Sequence, residues 1–224
     1  MPVLALLLAA AALPVGHSVQ GRAIRPVVLG DPGAASRVLV VGCIHGNEPA
    51  GLAITKRLAA TDAPAGTEIV VVSALNPDEC SRGVRGNAHG VDLNRNFPSN
   101  WARIGRPGSF QYSGPHPLSE PESRYAVALI GALRPTITIW FHQHQGFVRA
   151  WGQSIATARR FAALARYPYM SLRWPYGTAA NWQNHRFPGT ASFVVELPAG
   201  AVPPGRVSVW VQAIRALAAE GLRR

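Results

Sequence analysis

Lysine is almost missing from this sequence. Lys56 is the only one, so the excess of Lys+Arg (22) over Asp+Glu (11) is carried by arginine scattered along the chain and not by a basic tail. A balance of +11 suits contact with anionic polymers such as cell wall, nucleic acid or lipid head groups, and equally fits a general bias toward arginine. It bears on partners and identifies no chemistry. Cysteine is scarce as well: Cys43 and Cys80, with no C-x-x-C pair, exclude a disulfide-dense scaffold and a thiolate zinc site. One bridge or two buried thiols both remain open. No apolar run reaches the ~20 residues of a membrane span. The run Val3 to Leu13 has the length of a secretory h-region, and Ala10 and Ala12 offer a cleavage site, although only Met1 and Pro2 precede it. We therefore expect a leader over residues 1–14 and a catalytic domain over 15–224, secreted or in the cell envelope, or cytoplasmic if the leader does not function. Internal repeats, low-complexity tracts and linkers are absent too, and 48% hydrophobic residues in 224 build one domain with a sizeable core.

What is present is a series of strand-length apolar runs that end in polar residues. Val38 to Gly42 (VLVVG) leads into Cys43-Ile44-His45-Gly46-Asn47-Glu48 and a helical pattern from Pro49 to Ala60. Ile69 to Leu75 (IVVVSAL) ends at the turn signal Asn76-Pro77-Asp78, and residues 76–117 form a Gly/Pro/Asn-rich excursion too long for a mere connector. Ser119 and Glu122 read as a capping box for a helix reaching Leu133. Thr136 to Phe141 (TITIWF) is a strand ending at His142. Residues 153–167 read as a helix, 168–190 as an irregular aromatic segment, Ser192 to Leu197 (SFVVEL) as a strand and Val207 to Leu222 as a closing helix. Apolar runs flat enough to be buried on both faces predict an α/β fold, a mixed and mostly parallel central β-sheet with helices on both faces.

In such sheets ligands gather beyond the carboxyl ends of the strands, and here those ends carry His45 with Glu48, His142, and Glu196. Two imidazoles and a carboxylate are the donor set of a catalytic zinc, which keeps a further position open for water. His144 competes with His142 as the third ligand, because the two share a side of an extended strand. Glu196, an acid inside an apolar strand, is the candidate general base and acid. Asp92 suits the carboxylate that orients a metal-ligating histidine. Arg85, Asn94 and Arg95 lie in the polar excursion, where arginine can grip a carboxylate or face a developing oxyanion.

These residues resemble the zinc carboxypeptidase family, the metallocarboxypeptidase A-like group. His45-Gly46-Asn47-Glu48 is similar to its H-x-x-E motif, and Arg82-Gly83-Val84-Arg85 followed by Gly90-Val91-Asp92-Leu93-Asn94-Arg95-Asn96-Phe97 resembles its substrate-binding segment. Ser119-Glu120-Pro121-Glu122, the strand reaching His142 and Phe193-Val194-Val195-Glu196-Leu197 resemble later segments in order, while Ser18-Val19-Gln20-Gly21-Arg22 looks like the opening S-x-x-G-R strand. The resemblance implies one zinc ion on His45, Glu48 and His142, with Glu196 as base and acid. It implies Arg85 polarising the scissile carbonyl, Asn94 and Arg95 on the substrate's terminal carboxylate, and Asp92 orienting His45. Tyr176 falls near the mobile tyrosine of larger members without matching its register. Gly177 to Trp182 carries no acid that would attract a basic side chain.

Compact size and the N-P-D, R-x-x-R, D-L-N-R-N-F-P and S-E-P-E segments are most similar to the bacterial murein peptide amidase branch, which cuts γ-D-glutamyl-diaminopimelate. The expected partner is thus a peptide with a free carboxylate, with no nucleic acid and no membrane span. The alternative is a general carboxypeptidase acting on α-linked peptides. Further off stand a deacylase similar to succinylglutamate desuccinylase and aspartoacylase, and an inactive wall-binding module.

Overall fold

The structure, a computed structural model, describes residues 12–222, so most of the expected leader lies outside the described residues. Two-residue strands β1 (Gly16–His17) and β2 (Ala23–Ile24) pair with each other. Then follow β3 (Val27–Gly30), β4 (Ser36–Val41), α1 (Gly51–Leu58), β5 (Thr67–Val72) and the short α2 (Pro77–Cys80). After the long excursion come α3 (Pro121–Leu133), β6 (Ile137–Gln143), β7 (Phe147–Ala150), α4 (Ile155–Ala165) and β8 (Tyr169–Ser171). The chain continues through α5 (Ala179–Arg186), β9 (Ala191–Leu197) and α6 (Pro204–Glu220).

Seven strands form one mixed sheet in the order β3-β5-β4-β6-β9-β7-β8. The central pairs β5/β4, β4/β6 and β6/β9 are parallel, and so is β7/β8, whereas β3/β5 and β9/β7 are antiparallel. Side chains alternate across a strand, which divides the core in two. Val38, Val40, Ile137, Ile139, Phe141, Phe193 and Val195 pack on α1, α4 and α6. Leu39, Val41, Trp140 and Val194 face α3 and α5 on the other side. With both faces covered, the central strands read as continuous apolar runs, as their sequences predict.

The structure departs from the sequence expectations in several places. Residues 168–190 contain β8 and α5. The helix AANWQNHR escaped a periodicity reading because amides occupy much of its buried face: Gln183 Nε2 donates to Thr138 Oγ1 at 2.9 Å, and Asn184 exchanges 2.9 Å hydrogen bonds with the backbone of Ser192. β6 runs on through Gln143, which puts His142 inside the strand and not just past it. The capping box does not form. Ser119 Oγ donates to Glu120 Oε1 instead, the helix begins at Pro121, and Glu122 accepts from Val19 N–H and from Asn87 Nδ2. Ser18 to Arg22 is a turn between β1 and β2 and not a strand. It is fastened by Ser18 Oγ and Gln20 N–H donating to Asp78 at 2.8 and 3.0 Å. Cys43 and Cys80 are joined as a disulfide that ties the end of β4 to α2.

Candidate active site

β4 ends at Val41, and the turn that follows must carry His45 and Glu48 back over the sheet before α1 begins. Gly46 makes that turn possible: a Cβ there would stand 2.2 Å from the Val84 carbonyl oxygen and 2.3 Å from that of Glu79, so only glycine lets the turn lie against the chain leading to Arg85. β6 and β9 pair in register with His142 opposite Glu196. Each residue lies two places beyond a core residue of the α3/α5 face, Trp140 and Val194, so both project from that same face.

The three groups converge. The candidate ligand atoms of His45, Glu48 and His142 all lie within 4.8 Å of one another, and all three residues are buried. Glu48 stands between the imidazoles, its Oε1 3.0 Å from His45 Nδ1 and its Oε2 2.8 Å from His142 Nδ1. His45 Nε2 meets Asp92 Oδ1 at 2.8 Å, and Arg85 bridges the two acids, donating to Glu48 at 2.7 Å and to Asp92 at 3.0 Å. Burial opposes charge on Glu48, but His45 and His142 outweigh it and hold its carboxyl far below the ordinary range. Asp92 is driven down in the same way by His45 and Arg85 against its burial. Burial lowers the His45 pKa, while Asp92 and Glu48 more than reverse this and leave it raised. Surroundings that stabilise positive charge on an imidazole also stabilise a cation beside it.

The residues fit a zinc ion on two observations. Asp92, an acceptor only, takes the proton on His45 Nε2, which leaves Nδ1 as the lone-pair atom facing the cluster; Nδ1 is buried and faces the carboxylate oxygen of Glu48 at 3.0 Å, an acceptor it cannot donate to once Nε2 carries the proton. Two histidine nitrogens and a carboxylate are also the donor set that catalytic zinc takes. Across the cluster, Glu196 is buried and its Oε2 has no hydrogen-bond partner among the described residues. A cavity of about 320 Å³ opens over these groups.

The other sequence candidates occupy the walls. Asn94 Nδ2 lies 3.3 Å from His142 Nε2 while its Oδ1 accepts from Ala179 N–H at 3.0 Å. Arg95 is buried and lines the cavity, its Nη1 donating to the Asn94 carbonyl. The backbone oxygen of Arg95 would stand 2.2 Å from a Cβ on Gly177, so that glycine seats the segment after β8 directly against it. His144 lies at the rim, exposed and outside the cluster, because β6 has ended at Gln143. Tyr176 is exposed and outside the cavity lining. Sequence reasoning missed Gln143, whose backbone N–H donates to Glu48 Oε2 at 3.1 Å and whose Oε1 accepts from Ala50 N–H at 2.8 Å. It also missed Arg149, on the cavity wall near Glu196. No motif marks either residue; only strand pairing brings them in.

A mixed α/β sheet with a His-Glu-His cluster and a facing glutamate at its strand ends defines a cation-assisted site of the carboxypeptidase type. The chain belongs to the zinc carboxypeptidase family, whose sequence model matches residues 10–187. It is 33% identical over 150 residues to murein peptide amidase A of Escherichia coli K12, covering 58% of this chain and 60% of that protein. It is 33% identical over 138 residues to gamma-D-glutamyl-L-diamino acid endopeptidase 1 of Lysinibacillus sphaericus, covering 54% and 33%. The match thus spans about 60% of the length of the amidase relative. In fold the chain is similar to murein-tripeptide amidase MpaA of Escherichia coli O157, with TM-score 0.70 at 23% identity over 94% of this chain and 93% of that one. It is also similar to carboxypeptidase A of Helicoverpa armigera, with TM-score 0.76 at 19% identity over 93% and 69%.

Proposed function

We propose that this protein is a zinc-dependent hydrolase of an amide bond next to a free carboxylate, acting on the γ-D-glutamyl-diaminopimelate bond of murein peptides. The convergence of His45, Glu48 and His142 opposite Glu196 carries this reading. Similarity to a relative named for murein peptides and to another named for γ-D-glutamyl-diamino acid bonds supports the substrate. His45 Nδ1, Glu48 and His142 would hold one zinc ion, which supplies Lewis acidity and a water that is nucleophilic near neutral pH. Glu196 takes the proton of the attacking water and delivers it to the leaving amine. Arg85, held by Glu48 and Asp92, turns its remaining N–H groups to the carbonyl oxygen as charge develops there. Arg95, with Asn94 beside it, takes the terminal carboxylate. The apolar run of residues 3–13 and a disulfide, a bond that persists in oxidising compartments, support action in the cell envelope.

Product analysis tests the reading. Purified protein supplied with zinc should release diaminopimelate from L-Ala-γ-D-Glu-meso-diaminopimelate, and a chelator should stop it. Release of C-terminal residues from blocked α-linked dipeptides, with the murein peptide untouched, would replace the amidase reading by the general carboxypeptidase one.

A further inference from the structure

The cavity over the cluster carries one more cation than acid among its lining side chains. Its acidic lining residues are Glu48 and Glu196, whereas Arg85, Arg95 and Arg149 line it as cations. Arg85 is neutralised on the spot by Glu48 and Asp92. Arg149 makes no ion pair among the described residues.

Its position follows from the sheet. β7 runs antiparallel to β9 with Phe147 opposite Glu196 and Arg149 opposite Val194, so Arg149 projects from the face that carries Glu196, one cross-strand step away. The guanidinium lies over the Trp174 ring, 5.7 Å from its centroid, and donates to the Arg173 carbonyl. Its Nε is buried with no hydrogen-bond partner among the described residues. Arg95 and Glu196 line the same cavity as Arg149; burial lowers the pKa of Arg149, Glu196 pulls it up and Arg95 lowers it further. A guanidinium held by an aromatic face and a carbonyl, with donor capacity left over and a second arginine close by, is a preformed receptor for an anion.

We propose that Arg149, seated on Trp174 in the cavity that Arg95 also lines, forms a subsite for a second carboxylate, carried on the side chain of the residue the enzyme releases. The proposal rests on the amidase reading for the direction of the substrate. Arg95 then holds the α-carboxylate and Arg149 the side-chain carboxylate, so the site selects a diamino-diacid or an acidic residue. A lysine side chain in the same place lacks the carboxylate that Arg149 would hold.

The test compares kcat/KM for L-Ala-γ-D-Glu-X, where X is meso-diaminopimelate, its side-chain carboxamide or L-lysine. The zinc-loaded parent should favour the diacid over its amide by about tenfold or more, the scale of one charge-assisted hydrogen bond. Arg149→Met should bring that ratio close to one, and Arg149→Lys should retain part of it. Equal values for acid and amide in the parent would overturn the subsite, as would an Arg149→Met variant that lowers both alike. Should Arg149→Met fail to fold, the parent and lysine-variant ratios still decide. If no murein peptide is cleaved, the amidase reading fails separately. Calorimetry of free meso-diaminopimelate against its side-chain amide on the zinc-loaded parent then judges the subsite, which needs a similar preference for the diacid and falls without one.

Discussion

At His45 the balance of charge is decided by what lies on either side of the ring: Asp92 behind it and Glu48 in front of it, with Arg85 fastened to both acids. This division of labour separates the expected effects of single substitutions. Glu196→Gln should keep its metal and lose on the order of 10²- to 10⁴-fold in turnover, the usual share of a positioned base. His45→Ala should lose both, and Asp92→Asn should weaken metal binding about 10- to 100-fold by removing the acceptor that orients the ring. Metal content by elemental analysis beside peptide turnover checks all three, and full turnover in Glu196→Gln would remove that residue from the chemistry. The pair His45 and Glu48 was legible in the sequence because both sit on one short turn after an obvious strand. His142 and His144 were not separable, since only the end of β6 at Gln143 tells which of them remains in the sheet.

Among the elements, the turn from β4 into α1 depends most on its neighbours. It is pressed against the 79–84 backbone through Gly46 and linked to α2 through Cys43 and Cys80. The bridge closes a separation of 37 residues, which in the chain-entropy account corresponds to about 4 kcal/mol of stability. Cys43→Ser with Cys80→Ser should therefore lower the urea midpoint substantially, and a parent indifferent to reducing agent would contradict this. The bridge was an open question in the sequence, for two apolar runs followed by cysteine do not say whether their strands are neighbours. β4 and β5 are paired in the sheet, which decides it. Helix α5 was hidden for another reason: hydrophobic periodicity cannot detect a helix that docks by satisfying sheet hydrogen bonds with glutamine and asparagine.

For the whole molecule, two buried acids on the α3 side give stability an unusual pH dependence. Burial raises the pKa of Glu120, but Ser119, Asn87 and His89 outweigh it and leave it lowered. Its contribution is thus present above its ordinary value of 4.5 and lost as pH falls through the lower folded value. Glu122 is raised by burial, so its contribution is present below 4.5 and lost as pH rises through the higher folded value. Glu122→Gln should gain stability relative to the parent as pH rises across that window, and Glu120→Gln should lose its deficit as pH falls. Denaturation midpoints from pH 3 to 8 check both slopes, and parallel curves for parent and variants would refute the assignment. By itself the sequence determined the α/β class, the strands that reach the site and the ligand turn, because burial on two faces and metal chemistry both restrict residue types locally. Only the tertiary structure decided that Arg149 stands near Glu196, that Gln143 steadies Glu48 and that the cysteines meet. Those relations are set by which strands lie side by side and in what register, and residues distant along the chain acquire neighbours only when the sheet is assembled.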